Sequence, residues 1–462
     1  MDERDGFLVM TNDPTFALHR FGLGAKPGQP RDLPTDMRSV LKAALRDEHL
    51  LIESKTLRST QNGLKTFYEF QARRRQGKAD GMISAGGGRE MKRKQSPAVA
   101  IYRAEIDARL KRIRDVDVGL LERLTSFWAN HFAVSAREQR IRVVAGSFER
   151  EAIRPYLKGR FADLLRAVIS HPAMLLYLDN NRSVGPNSQL GQRKQQGLNE
   201  NLARELLELH TLGVNGGYSQ ADVTETAKIL TGWSFRGAKA KHEPFTYKFF
   251  YHQHEPGTKV VLGERYEDAG YEEAVALCDA LARHPATAQH IATKLARHFV
   301  ADDPPKELVD ALKSRFLDSN GDLLKVYEAL LDHPLSWSPS YKKLRTPQEW
   351  LAAALRAFDA DMPAPFAIKS LSAMGHRIWF PSSPEGYEDR ADAWLGGAQM
   401  NARLDWAAAF ANRFAPRGAP LDVAEQVLAN RLTDETALAM RRAATRQQAF
   451  QIMLLAPEMM RR

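Results

Sequence analysis

The chain has 462 residues, 44% hydrophobic and 26% charged, with 66 basic against 56 acidic side chains and a formal net charge of +10. This balance is that of an ordered globular chain and excludes a disordered one, and no apolar run approaches the ~20 residues of a bilayer span. A single cysteine, Cys278, excludes disulfides within the chain and a multi-cysteine zinc site.

The N-terminus, MDERDGFLVMTNDPTFALHRFG, is acidic before a short apolar stretch and lacks the apolar core of a secretory signal. A cytoplasmic location is therefore expected, or a periplasmic one by export together with a partner. Residues 1–70 read as an N-terminal helical segment. Residues 71–96 read as a mobile, glycine-rich loop carrying Arg73, Arg74, Arg75, Lys78, Arg89, Lys92, Arg93 and Lys94. Such a loop is either simply solvated or a patch for an acidic polymer. Nucleic acid is disfavoured, because no aromatic residue interrupts the basic runs to stack on bases.

Residues 97–462 read as the main helical domain. Apolar residues recur at helical spacing over 161–178, 289–300, 346–360 and 401–414. Thr346, Pro347 and Glu349 form a capping box with a first-turn proline, and Ser219 with Asp222 opens another helix. The expected fold class is all-α: a multi-helix array with one small β-hairpin near 245–263, where FTYKFFYHQHEPGTKVVLG is aromatic and β-branched and Pro256-Gly257 suits a turn. Cys278 falls on the apolar phase of a helix, as a buried structural thiol does.

Four places carry candidate chemistry. In FWANHF, His131 ends a predicted helix beside Trp128 and Asn130 and suits an acid–base role, a ligand role or favourable placement at a helix C-terminus. In NENLARELLELH, Glu200, Arg204 and Glu208 form one helical line, with Asn201 and Glu205 beside it, on a helix otherwise wrapped in apolar residues. That pattern predicts a buried polar stripe needing partners: a salt-bridge network or a carboxylate pocket. The Glu-x-x-His spacing of di-metal helices is absent there. In YHQHEPGTK, His252 and His254 fall on one face of a predicted strand, near Glu255 and Lys259, a common two-point metal platform. In the irregular segment 374–397, His376 precedes Trp379, Phe380, Tyr387 and Trp394, which suit a carbohydrate or aromatic ligand and equally suit packing. Nucleotide-binding loops, a nucleophile elbow and His-Glu-x-x-His are all absent.

Taken together, FGLGAKPG, FWANHFAVS, AMLLYLDNNRSVG, the block NENLARELLELHTLGVNGGYSQADVTETAKILTGW, FFYHQHEPGTKVVLG, LARHFV and WFPSSPEGY resemble the bacterial family called domain of unknown function 1800, in order and over nearly the whole chain. The resemblance implies a neighbour: such genes often lie beside members of domain of unknown function 1501, whose proteins commonly carry a twin-arginine export signal. It raises His131, on which its motif centres. It also marks a departure, since His254-Glu255 stands where family members usually have His-Asp.

The resulting expectation is an enzyme or a ligand-binding protein with a buried carboxylate and histidine pocket; for an enzyme the chemistry is hydrolytic or carbohydrate-directed, with Glu205, Glu208, His131 and Asp222 as catalytic candidates. Asn199, Glu200, Asn201, Arg204, Trp233, His254, Glu255, His376 and Trp379 are the candidate ligand contacts. The cofactor is unassigned, a divalent metal being the candidate; the ligand is a polysaccharide or another small molecule. The alternatives are a non-catalytic partner of a domain-of-unknown-function-1501 protein, and a binder of acidic polymer or nucleic acid through the basic loop.

Overall fold

The computed structural model describes residues 13–46, 50–79, 96–339 and 343–462. These form a mostly α-helical body with two small antiparallel β-ladders. The elements used below are α1 (Pro14–Arg20), α2 (Thr60–Ala79), α3 (Pro97–Asp115), α4 (Leu120–His131), α5 (Asn201–Glu205), α6 (Gln220–Ile229), β1 (Trp233–Phe235), β2 (Tyr247–Phe249), β3 (Lys259–Val261), β4 (Glu264–Tyr266), α7 (Tyr271–Arg283), α8 (Pro285–Phe299), α9 (Lys306–Asp318) and α10 (Pro347–Ala357). No helix among the described residues is long and apolar enough to cross a membrane.

The α2 helix continues through residues 71–79, so the stretch expected to be a basic loop starts as helix, with Arg73, Arg74 and Arg75 exposed on it. Residues 80–95 of that stretch lie outside the described residues. One contiguous apolar cluster runs from Phe16 to Met460 and takes in Cys278. The capping boxes at Ser219–Asp222 and Thr346–Glu349 both form.

The β region differs in pairing from the hairpin expected at 245–263. Strand β2 pairs backwards with β1, Trp233 opposite Phe249, and β3 pairs forwards with β4, Lys259 opposite Tyr266. Pro256-Gly257 lies between the two ladders, and the tight turn is Leu262-Gly263, both at positive φ. The short strands are selected by their neighbours: the Leu262 N–H donates to Asp222 on α6 at 2.6 Å, which fixes the β3–β4 turn against that helix.

Arginines tie this body together from the inside. Arg20, Arg123, Arg154, Arg345, Arg356 and Arg403 are all fully buried. Most donate to main-chain carbonyls at helix ends and loops, where such acceptors lack partners of their own. Arg356 on α10 donates to the carbonyls of Gly24 (2.7 Å), Ile113 (3.0 Å), Val116 (2.6 Å) and Asp117 (2.5 Å). Arg345 reaches the carbonyls of Met459 and Arg461 and the Nδ1 of His19 (2.8 Å), and Arg20 reaches the carbonyl of Val300 (3.1 Å). Helix α1 is thereby locked to the C-terminal segment and to α8.

Replacing Arg356 with methionine keeps the apolar stem and strands several buried carbonyls, each worth about 1–3 kcal/mol when unsatisfied. Arg356→Met is expected to lower the free energy of unfolding by about 3 kcal/mol or more in equilibrium urea denaturation. An unchanged midpoint and slope would show that these carbonyls find other donors.

Candidate functional site

The stripe on α5 is the natural starting point. It is not buried: Glu200 and Arg204 keep 32% and 41% of their side chains exposed. The leucines cover one side only, and the stripe meets α6 at the surface. Glu200 accepts from Arg204 (3.2 Å), Gln220 (2.9 Å) and Thr224 (2.8 Å), which clamps the two helices. Just before α5, Asn199 accepts from the Asn201 N–H (2.9 Å). Asp222 is spent on its own capping box and on Leu262.

After Glu205 the helix changes character. Leu206–Thr211 is a π-helical turn, the form in which one extra residue rotates the side chains that follow. It brings Glu208 and Leu209 to the wall of a solvent-connected cavity of about 280 Å³. Glu208 accepts from the Tyr218 hydroxyl at 3.0 Å. Glu205 stays half-buried beside it, and burial followed by the nearby Glu208 charge raises its pKa.

The end of the π turn is capped by histidines from two other helices. The Nε2 of His131, at the end of α4, lies 3.2 Å from the His210 carbonyl, and the Nε2 of His290, on α8, lies 3.2 Å from the Leu209 carbonyl. Both carbonyls need donors, so both rings are placed as neutral Nε2–H tautomers. Burial, then the charge of Lys294, lowers the pKa of His210 to about 3 and of His290 to about 4, and pushes His131 well down. The Nδ1 of His131 and both ring nitrogens of His210 are buried without a hydrogen-bond partner among the described residues.

Helix α8 contributes the other wall. His290, Lys294 and His298 follow one another at i, i+4 and i+8, so they share one face. His298 donates through Nδ1 to Asp389 at 2.7 Å, and its Nε2 faces the Arg123 guanidinium at 3.4 Å. Despite burial, which raises it, Asp389 is held far below the usual carboxylate range by the charges of His298 and Lys343. Lys294 lies between these histidines with no hydrogen bond or ion pair to any described residue, and it lines the cavity. Burial lowers its pKa from 10.5 to about 8, although Asp389, Glu385 and Glu388 pull the other way.

The segment after α10 closes the cavity. Asn130 of α4 grips its tip, accepting from the Tyr387 N–H (2.7 Å) and donating to the Tyr387 carbonyl (2.8 Å). Gly386 sits there at positive φ, where a Cβ would come within 2.4 Å of the Asn130 carbonyl. The exposed Glu385 and Glu388 follow at the cavity's edge. His376 and Trp379 also line the cavity, but their rings are engaged: His376 stacks on Trp394 at 4.6 Å, and Trp379 donates to Glu149 at 3.0 Å.

The remaining candidates are elsewhere. Tyr251–Gln253 is a 3₁₀ turn and not a strand, so His252 is exposed while His254 is buried and no two-histidine platform forms. His254 spans the Thr231 carbonyl (2.9 Å) and Glu273 (3.0 Å). Glu255 accepts twice from Asn187, at 2.9 and 2.6 Å, and so anchors the loop at 185–188. Trp233 is buried and stacks on Tyr271. Among the described residues His254, Asp268 and Glu273 are the only group of three metal-type donors within 4.8 Å of one another. The Lys259 ammonium already stands 2.8 Å from Glu273, supplying the positive charge a metal would bring.

The structure thus gathers His131, Glu208, His376, Trp379 and Tyr387 around one cavity and leaves the other catalytic and ligand-contact candidates outside it. Sequence reasoning missed Lys294, His290, His298 and Asp389. The signal was present, as a polar line at every fourth residue along α8.

Two outcomes follow. Glu273→Gln breaks a buried ion cluster and is expected to cost about 3–5 kcal/mol of stability in denaturant titration, whereas a chelator leaves the wild-type midpoint unmoved. A chelator-induced drop would make this cluster a metal centre. Lys294→Met removes a lysine whose charged form is disfavoured by burial and by Arg297, while Asp389, Glu385 and Glu388 attract it. Its folded pKa is lowered, so its penalty is full below about pH 8 and fades as pH rises towards 10.5. The variant is expected to be more stable than wild type at pH 7 by on the order of 1–2 kcal/mol, with the gap narrowing between those pH values. A pH-independent difference would refute the strain.

No curated protein and no solved structure matches the chain. The family model described as protein of unknown function (DUF1800) matches residues 16–461, nearly the whole length, and the chain belongs to that family.

Proposed function

We propose that the protein is an enzyme acting on a small polar molecule in the cavity, by hydrolytic or other acid–base chemistry, with Lys294 as the base and Glu208 as the carboxylate beside the substrate. The observation that carries this reading is the unpartnered lysine on the cavity wall. Lys294 is half-buried there and lines the pocket without a carboxylate bound to it, which leaves it available to a substrate. A base whose pKa lies near neutrality is also at its most effective, since it combines a usable neutral fraction with proton affinity.

Glu208 supports the same reading. The π turn presents it to the cavity, and the Tyr218 hydroxyl orients one of its oxygens. The carbohydrate reading has less behind it. Tyr387 gives its hydroxyl to the Arg377 carbonyl at 2.6 Å, and Trp394 is buried against His376, so neither that hydroxyl nor the Trp394 face is left for a sugar.

The test is a turnover screen of the purified chain on model esters, amides and lactones, followed by variants of the cavity. Glu208→Gln and Lys294→Met are expected to lower kcat by about 100-fold or more on any substrate found. Thr293→Trp, which fills the cavity from α8, is expected to abolish binding. Turnover untouched by all three variants would place the activity elsewhere and end this proposal.

A further inference from the structure

Away from the cavity, the strongest candidates are already engaged. The His254–Glu273 cluster is neutralised by Lys259. Cys278 is buried, and burial pushes its thiol up to about 12. The cleft near Arg166 pairs that arginine with Asp163 and Asp279. At the cavity the balance is different. Arg109 is paired there with Glu149, Arg123 with Glu349 at 3.7 Å, and Asp389 with His298 and Lys343. Lys294, Arg297, Glu208, Glu385 and Glu388 line the same space, and none of them has an ion pair among the described residues.

Resting on the enzyme reading above, we infer that the cavity takes a small zwitterion, a molecule whose carboxylate sits on Arg297 and whose ammonium group is drawn to Glu208, Glu385 and Glu388. The cationic pole is on α8. Lys294 and Arg297 are three positions apart, so one turn of helix sets two basic side chains next to each other. Arg297 spends its Nε on the Asp302 carbonyl (3.0 Å), and its two terminal nitrogens make no hydrogen bond to a described residue. That open fork matches the two oxygens of a carboxylate. The acidic pole comes from other elements. The Glu205 carboxyl lies within electrostatic reach of both Glu208 and Glu385, so the π turn and the closing segment bring these carboxylates to one side. Glu388 follows Glu385 along the rim, and both are exposed.

An ion of a single sign does not suit this arrangement. The two poles line one solvent-connected space and do not come within ion-pair distance of each other. An anion on Arg297 is repelled by the carboxylates, and a cation beside them is repelled by Arg297 and by Lys294 when it is charged. A molecule with both charges is attracted at each end, and the same repulsions reject its singly charged competitors. The space of about 280 Å³ lies at the small end of the roughly 300–1,000 Å³ range of ligand cavities, so the molecule is small. His131 is a separate sign of a guest. It is buried, it lines this cavity, and its Nδ1 acceptor has no donor among the described residues. An ammonium group carries the N–H donors that a bare carboxylate lacks. Lys294, one turn before Arg297, stays available as the base assigned above.

The probes are L-α-amino acids and the ω-amino acids from β-alanine to 5-aminopentanoate. Each is matched with the acid that lacks its amino group and the amide that lacks its carboxylate, and binding to the full-length protein is measured by isothermal titration calorimetry at pH 7. At least one amino acid is expected to bind, with its matched acid and amide each weaker by about 10-fold or more. Arg297→Gln is expected to weaken the amino acid and the acid by about 10-fold and to leave the amide no weaker. Glu385→Gln combined with Glu388→Gln changes two exposed side chains, so the circular dichroism is expected to persist. That double variant is expected to weaken the amino acid and tighten the acid. Binding by none of the probes overturns the inference, and so does a matched acid or amide that binds as tightly as its amino acid. Arg297→Gln weakening acid and amide alike overturns it too, since a merely structural arginine would act that way. If amino acids bind through Arg297 while turnover ignores Lys294 and Glu208, the ligand class stands and the acid–base assignment is lost. If turnover of neutral esters depends on both residues while no amino acid binds, the zwitterion is lost and the enzyme reading stands.

Discussion

The Arg123 guanidinium is the constraint on which the cavity depends. It sits wholly inside the protein on α4 and donates to the main-chain carbonyls of Arg20 and His298, with Gly22 at 3.4 Å and its Nε turned to the His298 ring. One side chain therefore fixes three things: the glycine turn after α1, the end of α8, and the rotamer of the histidine that holds Asp389. A cation this deep is tolerated because its donors meet carbonyls that had no other partner. The arrangement is stiff in consequence. None of the three elements can shift without stranding the others' polar groups.

That stiffness explains how polar groups survive at the cavity wall. The π turn at Leu206–Thr211 leaves carbonyls facing inward, and His131 and His290 cap them from opposite sides. Lys294 lies beside the same two histidines, and after burial its charge is the largest influence that keeps both rings neutral. Structural capping and the neutrality of the two rings are thus one arrangement, and neither histidine needs to touch a substrate to matter.

How much of this was readable from the residues varies by element. Helices with strong apolar periodicity and capping residues were, because local chemistry and tertiary packing agree there. The hairpin pairing was not: Pro256-Gly257 has turn chemistry, but the strands pair outward because Asp222 and Thr231 on distant segments take the main-chain groups near them. The α5 stripe misled for a related reason. A helical wheel assumes 3.6 residues per turn, and the π turn breaks that count after Glu205, sending Glu208 inward while Glu200 stays on the surface. His131 was found through its motif, and the structure places it at the cavity as a cap on the π turn. Lys294 was hidden by its neighbours' apolar pattern, although His290, Lys294 and His298 sit four apart. Much of the hallmark block turns out to be architecture: Gly232 in the Thr-Gly-Trp triplet lies where a Cβ would be 2.8 Å from the Phe250 carbonyl.

The clasp between Asn130 and Tyr387 has a thermodynamic corollary. A segment that rims a cavity usually gains order when a ligand arrives, and that ordering subtracts from affinity. Here the two hydrogen bonds and the close approach at Gly386 have already removed the segment's freedom. Glu385 and Glu388 are presented from a backbone that folding, rather than binding, has immobilised. Association should therefore show little of the large unfavourable entropy of loop closure, and discrimination between ligands rests on shape and charge at the rim.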